Sequence, residues 1–267
     1  MSARSDSTTE AHLSHLREEG WCVIKDVIPQ AQVDGIRHAA EAINEEATAA
    51  YTNEDRNPIS YLQPFAPHLA DERVLGIIKR VFNHSHVRIA RTQIRVLPPY
   101  TGGDVHLDGK SEEKPTRSYH SDWPHDLHDL SGSGHIHQPF PDTVMALTTL
   151  WMLSSFTKEN GGTWIVPQSH HNTRNPRGDD GINPAQPIRA ERQVTGSAGS
   201  VFIMDSRIWH TVAPNQSDYS RVAVLASYVP WWISVELGKA NQVTIPVDVF
   251  NTFPENVKPL FQHRVMA

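Results

Sequence analysis

The chain has 267 residues, with 24 Lys+Arg against 30 Asp+Glu, a formal net charge of -6, 38% hydrophobic and 20% charged residues. That composition is globular rather than disordered, and a mildly acidic chain with no basic run argues against nucleic acid as a partner. One cysteine, Cys22, excludes a disulfide scaffold and a thiolate zinc cluster, no apolar run approaches the roughly 18 residues that cross a bilayer, and the 16 histidines direct attention to metal ligation.

The first segment, MSARSDSTTEAHL, has no apolar h-region, so the expectation is a soluble cytoplasmic protein. Ser7, Thr8 or Thr9 is placed to cap a first helix with Glu10 in its first turn, Leu13 and Leu16 on one face, and Gly20 as its stop. WCVIKDVI (21–28) reads as a strand. Pro29 opens a second helix in which Val33, Ile36, Ala40 and Ile43 recur at helical spacing. Residues 48–70 hold Pro58, Pro64 and Pro67 without a clear period and read as loop. Asp71 to Phe82 reads as a third helix, with Val74, Ile77, Ile78 and Val81 on one side.

From residue 87 the pattern changes to strands. VRIARTQIRVL alternates apolar and polar residues up to Pro98-Pro99, and TVMALTTLWML (143–153), TWIVP (163–167), GSVFIMD (199–205) and RVAVLASYV (221–229) are further strands. Short strands between Gly, Pro and Asn turns suggest a β-sandwich or jelly roll, here mainly β with flanking helices. No linker divides the chain, so residues 1–267 read as one domain: helices over about 8–82, then a β core over about 87–235. The segment 123–142 is too irregular for an element and is read as a long, lid-like loop.

Three places carry chemistry. In Tyr119-His120-Ser121-Asp122-Trp123 the HxD spacing puts His120 and Asp122 on one face of an extended segment, where both reach one ion. His210 follows the strand GSVFIMD. Two histidines and one carboxylate form the facial triad of non-heme Fe(II) oxygenases, which leaves metal positions open. Arg221 opens the apolar strand RVAVLASYV, where a half-buried guanidinium needs an anionic partner and its planar fork suits a small dicarboxylate. Taken singly, His210 reads equally as a core histidine bonded to backbone, and Arg221 as a surface ion pair. The ordered set of HxD, distal His and then Arg, each on an expected strand, is harder to reach by chance.

With these residues in place, the chain resembles the phytanoyl-CoA dioxygenase (PhyH-like) family of Fe(II)/2-oxoglutarate-dependent oxygenases. Asn160-Gly161-Gly162-Thr163-Trp164-Ile165-Val166-Pro167-Gln168-Ser169-His170 is similar to the family's NG-x-(L/W)-x-x-x-P-G-S-H block, with Gln168 where glycine is usual. Gly199 to His210, Asn215-Gln216-Ser217 and Arg221 resemble its distal-histidine block, and HLREEGWCVIKDVI its opening. The resemblance implies a double-stranded β-helix (jelly roll, cupin-like), iron held by His120, Asp122 and His210, and 2-oxoglutarate anchored by Arg221. It further implies a hydroxyl or amide contact to the cosubstrate, for which Gln93, Thr148 and Thr211 are candidates, the plain alternative for each being strand surface. Trp164 reads as core, or as a neighbour of the cosubstrate.

The function so implied is a dioxygenase that uses Fe(II), 2-oxoglutarate and O2 to hydroxylate an unactivated carbon of a small metabolite. Related halogenases carry a small residue in place of the carboxylate, so Asp122 favours hydroxylation. The competing readings are a cupin-like metal-binding protein without turnover, which has no need of Arg221, and a metal-dependent hydrolase or isomerase. His125, His128, His135 and His137 read as solvated loop residues. The loop with Arg174, Arg177, Asp179 and Asp180 reads as a solvated charged surface, the sharper alternative being contact with an anionic substrate. Trp231-Trp232 reads as packing or an interface anchor. The sequence names neither the substrate nor the oligomeric state.

Overall fold

In chain order the elements of the computed structural model are α1 (Ser2–Glu19), β1 (Trp21–Ile24), α2 (Gln30–Ala49), α3 (Glu72–Phe82), β2 (Val87–Leu97), β3 (Asp126–Asp129), β4 (Gly132–His135), β5 (Leu147–Met152), β6 (Trp164–Ile165), β7 (Arg192–Gln193), β8 (Val201–Asp205), β9 (His210–Thr211), β10 (Arg221–Pro230), α4 (Val247–Thr252) and α5 (Lys258–Phe261). The structure describes residues 2–49, 58–100, 117–122, 125–129, 132–135, 142–178, 181–233 and 245–265.

Five strands pair antiparallel in the order β1-β8-β5-β10-β2, and three short ones in the order β7-β6-β9. The larger sheet is apolar on both faces, which explains the nearly unbroken hydrophobic runs of β5, β8 and β10. Its outer face, with Trp151, Ile203, Val224 and Tyr228, packs against Leu13 and Leu16 of α1, Val33 and Ile36 of α2, and Val74, Ile77 and Ile78 of α3. Its inner face, with Leu150, Phe202, Met204, Ala223 and Leu225, shares a second cluster with Ile165 of the smaller sheet. Inside the outer layer Trp151 Nε1 donates to Thr149 Oγ1 (2.9 Å), which donates to Ala226 O (2.9 Å), so both side chains are satisfied locally.

Strand β2 is an edge strand with two different faces. Ile94 and Val96 pack on the outer core. Arg91, Gln93 and Arg95 lie opposite Ser227, Leu225 and Ala223 of β10, so they share the inner face. A register shift at Ser227/Tyr228 ends this alternation, and beyond it Ile89 pairs with Tyr228 on the core side.

Several sequence expectations are corrected. Within 48–70, the described residues form two 3-10 segments, Pro58–Ser60 and Gln63–Ala70, and bury Ile59, Phe65, Ala66, Leu69 and Ala70. The prolines hide a helical period there because they start one short helix after another. The strand expected over 21–28 ends at Ile24, because Asp26 turns the backbone at φ 52. Segment 123–142 holds a hairpin, β3 paired with β4, although DLHD and GSGH lack apolar alternation. His125 is buried rather than solvated. The side chains of His128 and His135, and all of His137, lie outside the described residues. Trp231 and Trp232 are exposed, and Trp231 Nε1 donates to His84 Nε2 (2.8 Å). Gln168, at the position where the family block carries glycine, has φ 65, the left-handed conformation that glycine adopts without penalty. Among the described residues no helix is long and apolar enough to cross a membrane.

Candidate metal centre

The segment 117–122 is not a strand, yet it keeps the two-residue alternation of one. Tyr119 and Ser121 are buried on one side, while His120 and Asp122 turn the other way. Its place comes from backbone bonds to three other parts of the chain: His120 bridges His210 in both directions, Tyr119 N donates to Pro184 O (2.9 Å), and Asp122 N donates to Ser206 O (2.7 Å). Ser118 N donates to Thr211 Oγ1 (3.1 Å) and extends the bridge to the end of β9. On the buried side, Tyr119 Oη donates to Glu191 Oε2 (2.5 Å), and Arg117 Nη2 donates to Glu191 Oε1 (2.7 Å).

Residues 90 positions apart in the chain thereby converge. One ligand atom each from His120, Asp122 and His210 lies within 4.8 Å of the others, and His210 Nε2 is 3.8 Å from Asp122 Oδ1. His120 Nδ1 is 3.0 Å from Ser118 O, and His210 Nδ1 is 2.9 Å from Ile208 O. A carbonyl only accepts, so each Nδ1 carries a proton, which leaves each Nε2 as the ring nitrogen available to the centre. Burial, then the neighbouring His210 and Arg177, hold the His120 pKa well below its ordinary 6.5, which keeps the ring neutral. Burial works against ionisation of Asp122. The combined pull of His210, His120, Arg91 and a hydrogen bond from Thr148 outweighs it and lowers that carboxyl below its ordinary 3.8. Two imidazoles, each with its Nδ1 held by a backbone carbonyl, and one carboxylate are a donor set that fits a divalent transition metal and leaves coordination positions free.

The other expected residues divide into two groups. Thr148 Oγ1 donates to Asp122 Oδ2 (2.8 Å) and lies 3.1 Å from Ser206 Oγ, so its hydroxyl orients the Asp122 carboxylate. Thr211 Oγ1 is taken up by Ser118 N. Gln93 and Arg221 instead face the interior with polar atoms unmatched among the described residues: Gln93 Oε1 and Arg221 Nε are both buried without a hydrogen-bond partner. Arg221 is 5% exposed, donates from Nη1 to Gly161 O, and has its Cζ 4.5 Å from the centroid of the Phe156 ring. No carboxylate pairs with it among the described residues. Burial, and then Arg95, lower its pKa to about 10, which leaves it charged at neutral pH. Gly161 packs in turn against Ala213 O, three residues beyond His210, so the guanidinium is held beside the end of β9. Trp164 is half-buried rather than core, with the Arg117 guanidinium stacked 4.3 Å from its ring centroid.

Sequence reasoning missed the groups that brace this arrangement. Arg177 Nη1 lies 3.3 Å from Asp126 Oδ2 and Nη2 donates to Ser118 Oγ (3.4 Å), while the buried Asn175 Nδ2 donates to His125 O (2.9 Å). The loop read as solvated thus ties the hairpin segment to the ligand segment. It also missed Arg91 and Arg95, although the alternation VRIARTQIRVL places them beside Gln93 on one face.

A sequence profile of the phytanoyl-CoA dioxygenase (PhyH) family matches residues 16–223, well over half the chain. The chain belongs to the phytanoyl-CoA dioxygenase family. Among curated proteins it is 23% identical over 217 residues to the uncharacterized protein Rv1501 of Mycobacterium tuberculosis, covering 77% of this chain and 69% of that one. Among solved structures it is similar to HygX from Streptomyces hygroscopicus with nickel and 2-oxoglutarate bound, at TM-score 0.57 and 16% identity, covering 84% of this chain and 87% of that one. It is also similar to SnoN, a non-heme alpha-ketoglutarate-dependent epimerase of nogalamycin biosynthesis, at TM-score 0.57 and 16% identity, covering 84% of each chain. These structures establish a shared fold: antiparallel sheets with flanking helices.

Proposed function

We propose that this dioxygenase-family enzyme binds Fe(II) at His120, Asp122 and His210, takes 2-oxoglutarate as cosubstrate with its distal carboxylate on Arg221, and uses O2 to hydroxylate an unactivated carbon of a small metabolite. The observation that carries the reading is the pairing of a His-Asp-His donor set with a buried guanidinium that has no carboxylate partner among the described residues, both on the inner face of the larger sheet. A protein that only bound metal would gain nothing from leaving Arg221 Nε buried and unmatched, an arrangement that destabilises the fold unless a ligand completes it. In this reading the two sheets form a double-stranded β-helix of one domain, strands β3 and β4 flank its mouth, and the enzyme is soluble and cytoplasmic.

Bound in this site, Fe(II) with 2-oxoglutarate and O2 supplies an oxidative decarboxylation that yields succinate and CO2 and delivers oxygen to a C–H bond. The chain's own residues do the rest. Ser118 O and Ile208 O fix the two imidazole tautomers, and Thr148 holds the Asp122 carboxylate in one orientation. Arg221, fixed by Gly161 O and Phe156, receives the dicarboxylate, and Gln93 has a free buried carbonyl oxygen on the adjoining strand face. The interior formed by Leu150, Met204, Ile165 and Leu225 excludes water around these groups.

The test is a metabolite screen for substrate-stimulated 2-oxoglutarate decarboxylation with Fe(II), together with calorimetric binding of 2-oxoglutarate to the nickel-loaded protein. Binding that requires both metal and Arg221, and turnover inhibited by N-oxalylglycine, support the reading. Metal-dependent hydrolysis without 2-oxoglutarate uptake would replace it with a hydrolase. An epimerised or desaturated product would keep the cofactors and change the outcome assigned to the substrate carbon.

A further inference from the structure

Three guanidinium groups line one side of the interior. Arg91 and Arg95 project from β2 with Gln93 between them, and Arg221 opens β10 opposite Leu97, one diagonal step from Arg95. Salt bridges occupy Arg37, Arg73, Arg80, Arg117, Arg177 and Arg207, but none of the three interior arginines has one among the described residues. Arg91 Nε is buried without an acceptor. Burial lowers the pKa of Arg91 to about 10 and also lowers that of Arg95, yet both stay protonated at neutral pH. Arg95 is placed centrally: its charge acts on Asp122 at one end of the face and on Arg221 at the other. It is also the most exposed of the three, Arg91 being half-buried and Arg221 buried, so a ligand entering the interior meets it first.

Charge balance shows what is missing. Arg221 and Asp122 are matched by a divalent metal and the dianion 2-oxoglutarate, since three positive charges then face three negative ones. Among the described residues, Arg91 and Arg95 remain as an excess of two positive charges on the same face. The half-buried Arg91, with Nε unmatched, is costly without a counter-charge, and the planar fork of the exposed Arg95 beside it meets carboxylate or phosphate oxygens with paired hydrogen bonds.

On the dioxygenase reading of this site, we propose that the substrate is a small organic anion whose carboxylate or phosphate group is received by Arg95, supported by Arg91. The anionic group anchors on β2 while the carbon to be oxidised points toward His120, Asp122 and His210. Specificity then comes from the distance between the oxyanion and the reacting carbon. A neutral amide or ester of the same molecule would leave both guanidinium charges unmatched and be rejected.

The test is calorimetric titration of inorganic phosphate, and separately of acetate, into the protein saturated with nickel and 2-oxoglutarate. The wild type is expected to bind one oxyanion per chain, and the arm that binds tells a phosphorylated substrate from a carboxylic one. Arg95→Met should weaken that binding by about tenfold or more, the usual value of a charge-assisted hydrogen bond, and Arg95→Lys should restore part of it. Uptake of 2-oxoglutarate by Arg95→Met serves as the control for folding and should stay within about twofold of wild type, well under one hydrogen bond's worth. The proposal is overturned if neither oxyanion binds, if Arg95→Met binds it as the wild type does, or if Arg95→Met loses 2-oxoglutarate, which would assign the residue to the cosubstrate. If the nickel-loaded wild type takes up no 2-oxoglutarate, the dioxygenase reading falls and this proposal with it. If 2-oxoglutarate binds and the oxyanion does not, only this proposal falls.

Discussion

The backbones of His120 and His210 bond to each other in both directions, His120 N to His210 O at 3.0 Å and His210 N to His120 O at 2.8 Å. This one antiparallel bridge sets the two rings 4.3 Å apart between centroids before any ion is present. The two candidate ligand histidines are therefore brought together by main chain, whatever their rings go on to bind.

It follows that His210→Ala should keep the local backbone and lose the metal. Nickel affinity, measured by calorimetry, is expected to fall by more than about 100-fold, because losing even an outer partner of a ligand costs about 10–100-fold. The thermal midpoint without metal should stay close to wild type, while the rise on adding nickel disappears. A variant that still binds nickel tightly would show that the triad is not the metal site.

Thr148 is expected to act through Asp122. Its hydroxyl holds Oδ2 at 2.8 Å and leaves Oδ1 turned toward His210 Nε2. Thr148→Val should lower nickel affinity by about 10-fold or more, and Thr148→Ser should recover most of the loss. If Thr148→Val left nickel binding intact and weakened only 2-oxoglutarate, Thr148 would instead belong with the cosubstrate.

How much of this was legible in the sequence depends on which forces fix each part. The grouping of His120, Asp122 and His210 was legible because HxD spacing is a local rule and the resemblance to the family supplied the distal histidine, and the burial of Arg221 was legible because it opens an apolar strand. The inner face of β2 was equally legible in VRIARTQIRVL, since Ile94 and Val96 on the outer core leave Arg91, Gln93 and Arg95 on the other side. The hairpin of β3 and β4 was not, because Gly132-Ser133-Gly134-His135 has no apolar alternation and pairing alone defines it. The burial of His125 was hidden for a related reason. It depends on Asn175, fifty residues away, which clamps His125 O.

That buried histidine predicts an acid limit to stability. Burial, reinforced by Arg207, lowers the His125 pKa to about 4 in the folded protein, against 6.5 when exposed. Between those values the unfolded chain binds more protons than the folded one, so stability is full above pH 6.5, falls as the pH drops toward 4, and loses no more to this group below that. Urea midpoints measured from pH 7 to 4 should decline, and His125→Gln should decline less steeply over the same range. Parallel slopes would show that His125 is not the group responsible.

Gly161 is the position where a single methyl group should reach the cosubstrate. Its φ of 84 lies in the left-handed region, and a Cβ there would stand 2.5 Å from Ala213 O and 2.9 Å from Leu97 Cδ2. The first contact is with backbone, which cannot rotate aside, so Gly161→Ala must move the chain that carries Gly161 O. That oxygen is the acceptor that holds Arg221 Nη1. The substitution is expected to destabilise the fold by about 2 kcal/mol or more, combining backbone strain with a displaced buried bond. It should also weaken 2-oxoglutarate binding to the nickel-loaded protein while nickel binding itself holds, because the triad is fixed by the separate bridge between His120 and His210. Gly162→Ala is the comparison: its Cβ would stand 2.3 Å from Val194 O, an equally severe clash with a different stretch of backbone, while the Arg221 acceptor is Gly161 O. Loss of stability in both variants, with loss of 2-oxoglutarate affinity only in Gly161→Ala, would place the Gly161 carbonyl as the positioning group for Arg221; equal losses in the two would remove that role.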